Sequence, residues 1–347
     1  MQDNFISKKK PSYKITNQLK TYLKRYERDV EISITYDDLL RFSGGIEIFD
    51  KDDKDTLWLS VYYNEFERKE IDQSLKHIYS KLHHDGKDFI SKSLIVESID
   101  FCTFGNSKPF RVKIKNILNQ NYTYFYVKQA DASRVYGLEL EELLSPNNIN
   151  FIYCNDTLIE EHIIGIPGDA YIKDNLNNAT TSAKSQIAKE FVKFNERCFI
   201  RLLGDMRSYN YVFVLSHDFD RIQYRIRAID FDQQNFEGAS NIYKPQFFKE
   251  NFNLVKMVSS VLTKDSIEQY IIEERSAVAK RALSEHDRLN DLINCMINDS
   301  ISLEKHIHKL KSDLFNLTSD VNFKYATNMG EILKASLDFV IRNYKST

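Results

Sequence analysis

The feature that most restricts the fold of this chain is a change of hydrophobic period part-way along it. From residue 93 the apolar residues alternate as in strands. Ser93 to Phe101 is one such run, Phe110-Arg111-Val112-Lys113-Ile114 a second, and Tyr122-Thr123-Tyr124-Phe125-Tyr126-Val127-Lys128 a third. Turn sequences rich in Asn, Gly, Ser and Pro separate them. A helix is predicted over Ala132 to Leu144, stopped by Ser145-Pro146-Asn147-Asn148, and two more strands over Ile149 to Cys154 and Leu158 to Ile166. Beyond Thr180-Thr181-Ser182, which can cap a helix from Ala183 to Cys198, the period becomes helical. Ladders such as Leu303-Ile307-Leu310-Leu314-Leu317 continue to the end, interrupted by one pair of strands near residue 220. Three strands, a helix, two strands and then helices predict an α+β chain, with an antiparallel sheet ahead of a mainly helical part.

Residues 1–90 add a small α/β region in front. Leu19, Tyr22, Leu23 and Tyr26 are spaced for an amphipathic helix, and Glu31 to Thr35 and Leu57 to Tyr63 are spaced for strands. The cluster Asp50-Lys51-Asp52-Asp53-Lys54-Asp55 resembles a Ca²⁺ loop in charge only. It lacks the glycine at the sixth position and the glutamate at the twelfth, so a solvated hairpin turn is expected. The expected divisions are thus 1–90, 91–170 and 171–347. With 42% hydrophobic residues, 20 Tyr and 23 Phe, the 347-residue chain has ample material for a core. Its 48 basic and 50 acidic residues are mixed, so no basic field marks nucleic acid as a partner. Four dispersed cysteines without a C-x-x-C pair exclude a paired-cysteine zinc site and read as free thiols. No signal-like or membrane-spanning apolar run occurs, so the expectation is a cytoplasmic protein without a membrane partner.

The chemistry gathers in Leu203-Gly204-Asp205-Met206-Arg207-Ser208-Tyr209-Asn210-Tyr211, followed by Ala228-Ile229-Asp230-Phe231-Asp232. Asp205 falls in a loop after an apolar run, and Asn210 closes that loop as the strand from Tyr211 begins. A hairpin then returns the chain, so that Asp230 lands beside Asn210. Carboxylate and amide oxygens brought to one point suit Mg²⁺. His306 and His308, two apart on a helix, face roughly 160° away from each other and cannot share a metal.

This order of elements, with the D-x-x-x-x-N spacing and the later acid, resembles the protein-kinase-like superfamily over residues 93 to about 300. The resemblance implies a two-lobed fold with a sheet N-lobe at 91–170 and a helical C-lobe at 171–347. It implies ATP and Mg²⁺, with Asp205 as the catalytic Asp that accepts or orients the proton of the acceptor hydroxyl and with Asn210 and Asp230 as metal ligands. Lys128 fits the strand lysine that holds nucleotide phosphates; buried in an aromatic strand, it needs an anion. Of the helix glutamates, Glu139 lies within the face centred on Val135, Tyr136, Leu140 and Leu143 and is the expected Lys128 partner. Glu142 lies at the edge of that face, and Glu141 points to solvent. The turn Gly105-Asn106-Ser107 would approach the phosphates, and the segment from Ile164 through Ile166 to Ala170 would line the nucleotide.

The departures from the family pattern are specific. One glycine, Gly105, stands where the phosphate loop of protein kinases has three; Gly204 precedes Asp205 where they carry His-Arg; and Asp-Phe-Asp replaces Asp-Phe-Gly. The motif style is closer to HipA-type, phosphoinositide and small-molecule kinases. With no activation segment, the implied activity is transfer of the ATP γ-phosphoryl group to a hydroxyl of a small molecule or of one dedicated protein. The alternatives are a nucleotide-binding pseudokinase and a kinase-like enzyme that transfers AMP. The long C-terminal helices also offer a surface for a protein partner.

Overall fold

The structure is a computed structural model and describes residues 10–83, 93–105, 107–218 and 221–345. Its backbone contacts divide the chain into two compact units, neither of them one continuous stretch. A sheet unit comprises Lys14–Asp131 and Ile149–His162. A helical unit comprises Ala132–Asn148 and Ile163–Thr347, with the N-terminal residues to Tyr13. The chain is α+β, as its periodicity predicts.

In the sheet unit seven strands form one antiparallel sheet: β1 (Gly44–Phe49), β2 (Asp55–Tyr62), β3 (Leu94–Cys102), β4 (Phe110–Asn116), β5 (Tyr122–Gln129), β6 (Phe151–Cys154) and β7 (Thr157–Glu161). They run in the order β1-β2-β3-β4-β5-β7-β6. The first two strands therefore extend the sheet instead of forming a separate α/β piece, and no division falls at residue 90. Leu59 of β2 stands opposite Phe101 of β3, and Phe101 opposite Phe110 of β4. Between β1 and β2 the Asp50 Oδ1 accepts the backbone N–H groups of Asp52 and Lys54, both at 2.9 Å, which makes the acidic run a hairpin turn. Among the described residues three helices accompany the sheet: α1 (Asn17–Arg25), α2 (Tyr36–Leu39) and α3 (Glu65–Leu82). Glu31 to Thr35 does not form the expected strand. Thr35 instead closes a capping box with Asp38 at the start of α2, so its polar groups are committed to the helix end. The α3 residues Ile71, Leu75, Ile78 and Leu82 share one core with Val96, Val112, Phe125 and Ile159 of the sheet.

The helical unit contains α4 (Ala132–Leu144), α5 (Thr181–Arg201), α6 (Phe252–Val261), α7 (Lys264–Ser284), α8 (His286–Ile297), α9 (Glu304–Thr318) and α10 (Met329–Lys345). Thr180 caps α5 by accepting the N–H of Ala183, as its position predicts. Packed around α5 are α6, α7 and α10, while α4 lies against α7 and α8. That placement explains why the boundary at 170 also moves: α4 buries itself among helices of later sequence. It is enclosed on nearly all sides, and only one of its residues, Glu142, is not buried. On α10 the ladder Ile332, Leu333, Leu337 and Val340 is buried, whereas on α9 Leu310 and Leu314 are buried and Leu317 is exposed. A small sheet of β8 (Ile166–Pro167), β9 (Tyr211–Asp218) and β10 (Arg221–Ala228) completes the unit, in the order β10-β9-β8. The strand expected to reach Ile166 ends at Glu161, and Ile166 pairs with Phe213 in this second sheet.

Cys154, Cys198 and Cys295 are buried thiols outside any disulfide, and Cys102 is a half-buried one. Among the described residues no helix is long and apolar enough to cross a membrane.

Candidate active site

The candidate site lies in the helical unit, where α5 ends. Leu202 terminates the helix in the left-handed region at φ 56°, and Asp205 adopts φ 58° three residues later. Between them Gly204 passes close to a second segment. A Cβ there would stand 3.0 Å from Ile242 Cγ2 and 3.1 Å from the Gln233 carbonyl oxygen, so the close approach selects glycine. Its N–H donates to Gln233 O at 3.2 Å, and that of Asp205 donates to Ile242 O at 3.2 Å. The loop is also held from below. Buried Asn251 donates through Nδ2 to Met206 O at 2.9 Å and to Pro245 O at 2.8 Å, and it accepts from the Tyr211 hydroxyl at 2.7 Å.

Within the loop, Asn210 donates its side-chain N–H to the backbone oxygen of Asp205 at 2.7 Å. The Asn210 carbonyl in turn accepts the N–H of Ile229 at 3.0 Å, because β9 and β10 pair Tyr211 with Ala228. Asp230 thus leaves β10 beside Asn210. The three residues singled out by spacing, Asp205, Asn210 and Asp230, meet in one place.

Burial pushes the Asp205 carboxyl up to about 7. The nearby Arg207 guanidinium opposes this, while the Asp230 and Glu250 carboxylates add to it. Arg207 bridges two acids, with Nε 2.9 Å from Asp205 Oδ1 and Nη1 2.7 Å from Glu250 Oε1. Tyr209, exposed at the rim, lies in the field of the same acids; burial of its hydroxyl and their charge raise its pKa above the ordinary value.

Across the loop stands Arg134, from the first turn of α4, its side chain 3% exposed. Its Nη1 donates to Asp230 Oδ1 at 2.9 Å and to Asp232 Oδ1 at 2.7 Å, and its Nη2 donates to Ile229 O at 3.3 Å. Asp230 Oδ1 also accepts the Asp232 N–H at 3.0 Å. Sequence reasoning passed over Arg134, Arg207 and Asn251. An arginine early in a helix reads as solvated, and only the doubled acid of Asp-Phe-Asp hints at a cationic partner.

The remaining expected site residues have other surroundings. Glu139 is fully buried, and its carboxylate receives Arg288 Nη2 at 2.7 Å and Nε at 3.2 Å. Lys128, buried on β5 of the sheet unit, places Nζ 2.8 Å from Glu160 Oε2 on β7. The two residues expected to pair therefore belong to different units, and each has an ionic partner inside its own. A neighbouring-strand carboxylate is thus one anion beside the buried Lys128 ammonium. Glu141, expected to face solvent, is buried against Arg201 and accepts from the Ser145 hydroxyl at 2.7 Å. Burial would raise its pKa, but Arg201 and Ser145 hold it below the ordinary value. The single-face reading failed there because α4 has almost no solvent face. Gly105 has φ 88° with open space around it, Ser107 is half-buried, and Asn106 lies outside the described residues. Ile164 is exposed and Ile166 half-buried.

The donor set fits a hard divalent cation. Asn210 commits its amide nitrogen to Asp205, which leaves its amide oxygen as the group for a cation, and Asp230 and Asp232 supply carboxylates. Among the described residues no three His, Cys, Asp or Glu side chains form a metal cluster of their own.

No protein-family model matches the chain, and no curated protein matches it. Among solved structures it is similar to an ethanolamine kinase of Plasmodium vivax, with a TM-score of 0.28 and 12% identity, over 70% of this chain and 89% of that one. A likeness that slight carries no argument about fold or function.

Proposed function

We propose that this chain is a kinase-like phosphotransferase that moves the γ-phosphoryl group of ATP, with Mg²⁺, to a hydroxyl of a small molecule or of one dedicated protein. The observation that supports this most is the convergence of Asp205, Asn210 and Asp230 on one loop, with the Asp205 carboxyl near 7. A carboxyl with that value exchanges its proton near neutral pH, as a group orienting and relieving an acceptor hydroxyl must. Bound Mg²⁺ would supply charge neutralisation at the transferring phosphates, and Asn210, Asp230 and Asp232 are the residues to hold it. Arg207 fixes the rotamer of Asp205, and Asn251 fixes the backbone on which Asp205 sits. The acceptor class rests on the sequence alone, through the missing activation segment. The ionic partners of these acids favour a second reading, a nucleotide-binding module without transfer, since Asp205 and Asp230 both carry arginine contacts.

The test separates the two acids. Asp230→Ala should abolish the Mg²⁺-dependent part of ATP binding measured by calorimetry. Asp205→Ala should bind Mg·ATP nearly as the parent does, while turnover falls by on the order of 10²–10⁴. Mg·ATP binding that survives both changes, with no turnover in the parent, would leave the enzyme reading without support.

A further inference from the structure

Arg134 is a cation in an unfavourable place. It lies in the first turn of α4, near the positive end of the helix dipole, where a buried guanidinium is costly without anions. Two anions, Asp230 and Asp232, are reached through one nitrogen, while the second nitrogen donates to the carbonyl of Ile229. Three residues on, Gly137 removes the obstacle between α4 and this segment: a Cβ there would stand 2.9 Å from the Cβ of Phe231. Arg134 and Gly137 thus share one face of α4, and the Asp230–Asp232 turn lies directly on it. The second acid of Asp-Phe-Asp has its structural counterpart in this arginine.

We infer that Arg134 is the resident counter-cation of the Asp230–Asp232 pair, holding both carboxylates in place of a divalent metal and competing with the metal for them. The inference rests on the phosphotransferase reading, which makes Asp230 a metal ligand. The guanidinium on both carboxylates already offsets part of the negative charge that would attract a divalent ion. Loading the metal requires the Asp230 and Asp232 oxygens to be shared with Arg134 or surrendered by it. Metal affinity is thereby set low in the protein alone and rises when nucleotide phosphates add their own negative charge. Arg134 is a positioning residue: it touches the acids.

The test is Mn²⁺ binding to the full chain without nucleotide, by electron paramagnetic resonance, together with Mg·ATP binding by calorimetry. In Arg134→Met, removal of a like charge a few ångströms away should tighten Mn²⁺ binding by about tenfold or more. Its melting temperature should also rise on adding Mn²⁺ by more than that of the parent. Arg134→Lys, which keeps the charge but loses the planar fork, should stay close to the parent in Mn²⁺ affinity. Combining Arg134→Met with Asp230→Asn should abolish the gain. If folded Arg134→Met binds Mn²⁺ no better than a parent that binds Mg·ATP, the inference is overturned and the phosphotransferase reading stands. If Arg134→Met folds only when Mn²⁺ is added, the inference is supported; if Mn²⁺ cannot restore it, the arginine is purely structural. A parent that binds no Mg·ATP overturns both.

Discussion

Asp205 should cost this protein stability, and the cost should switch on with pH. Its carboxyl has an ordinary value of 3.8 and is pushed up to about 7 in the folded chain, chiefly by burial. Well below pH 3.8 it is neutral in the folded and the unfolded chain alike and carries no penalty. Between these values the unfolded chain ionises it while the folded chain resists, so stability falls as pH rises. Above pH 7 the loss is complete. At 1.36 kcal/mol per pH unit across a window of about 3 units, the loss approaches 4 kcal/mol as an upper bound. Asp205→Asn removes the titration and keeps the shape. Asparagine tolerates the left-handed backbone at this position, and its amide oxygen can still accept from Arg207. Arg207 also retains Glu250 at 2.7 Å. The variant should match the parent near pH 3 and exceed it by up to about 4 kcal/mol at pH 7.5 or above, while losing transfer activity. Urea denaturation of both proteins at half-unit intervals of pH measures the difference, in which all other carboxylates cancel. A difference that is flat with pH would refute the raised value. One that reverses, with the parent gaining as pH rises, would mean that Arg207 holds Asp205 ionised throughout.

Two further changes test the buried charges and the close contacts. Lys128→Met takes the ammonium away from the buried Glu160 carboxylate and should destabilise the protein by about 3–5 kcal/mol, with much of that recovered by adding Glu160→Met. A cost under about 1 kcal/mol in denaturant titrations would show that the pair is easily solvated. Gly137→Ala should destabilise by about 1–3 kcal/mol despite the better helix propensity of alanine, because the new methyl group meets Phe231. A gain in stability on this substitution, read from the same titrations, would show that the Phe231 side chain gives way freely.

The order of strands and helices was legible because a period of two and a period of 3.6 look different over ten residues or more. The hairpin at Asp50 was legible from what the sequence lacks. Sheet membership was not: nothing in Leu57 to Tyr63 says that β2 will join β3 instead of closing its own small sheet. At the site, the spacing of Asp205, Asn210 and Asp230 is local, and a loop and a hairpin are enough to bring them together. Their ionic partners come from afar. Arg134 reaches Asp230 over 96 positions, and Glu139 finds Arg288 over 149. Pairing at that range depends on which helices pack together, and a helical-face argument built on one helix, as for Glu141, assumes a solvent side that packing can remove.

The enclosure of α4 also has a consequence for how the chain is made. Its three buried charges, Arg134, Glu139 and Glu141, are neutralised by residues 96, 149 and 60 positions later. At about 5–20 residues per second of synthesis, the gap from Glu139 to Arg288 corresponds to roughly 7–30 s. Until that interval ends the segment lacks part of the set of groups it will be buried against. The same charges that need partners in the finished protein then face water and keep an otherwise apolar stretch from sticking to its neighbours. The ionic groups of α4 thus serve twice, first as hydrophilic cover for a nascent segment and later as the contacts that tell it where to dock.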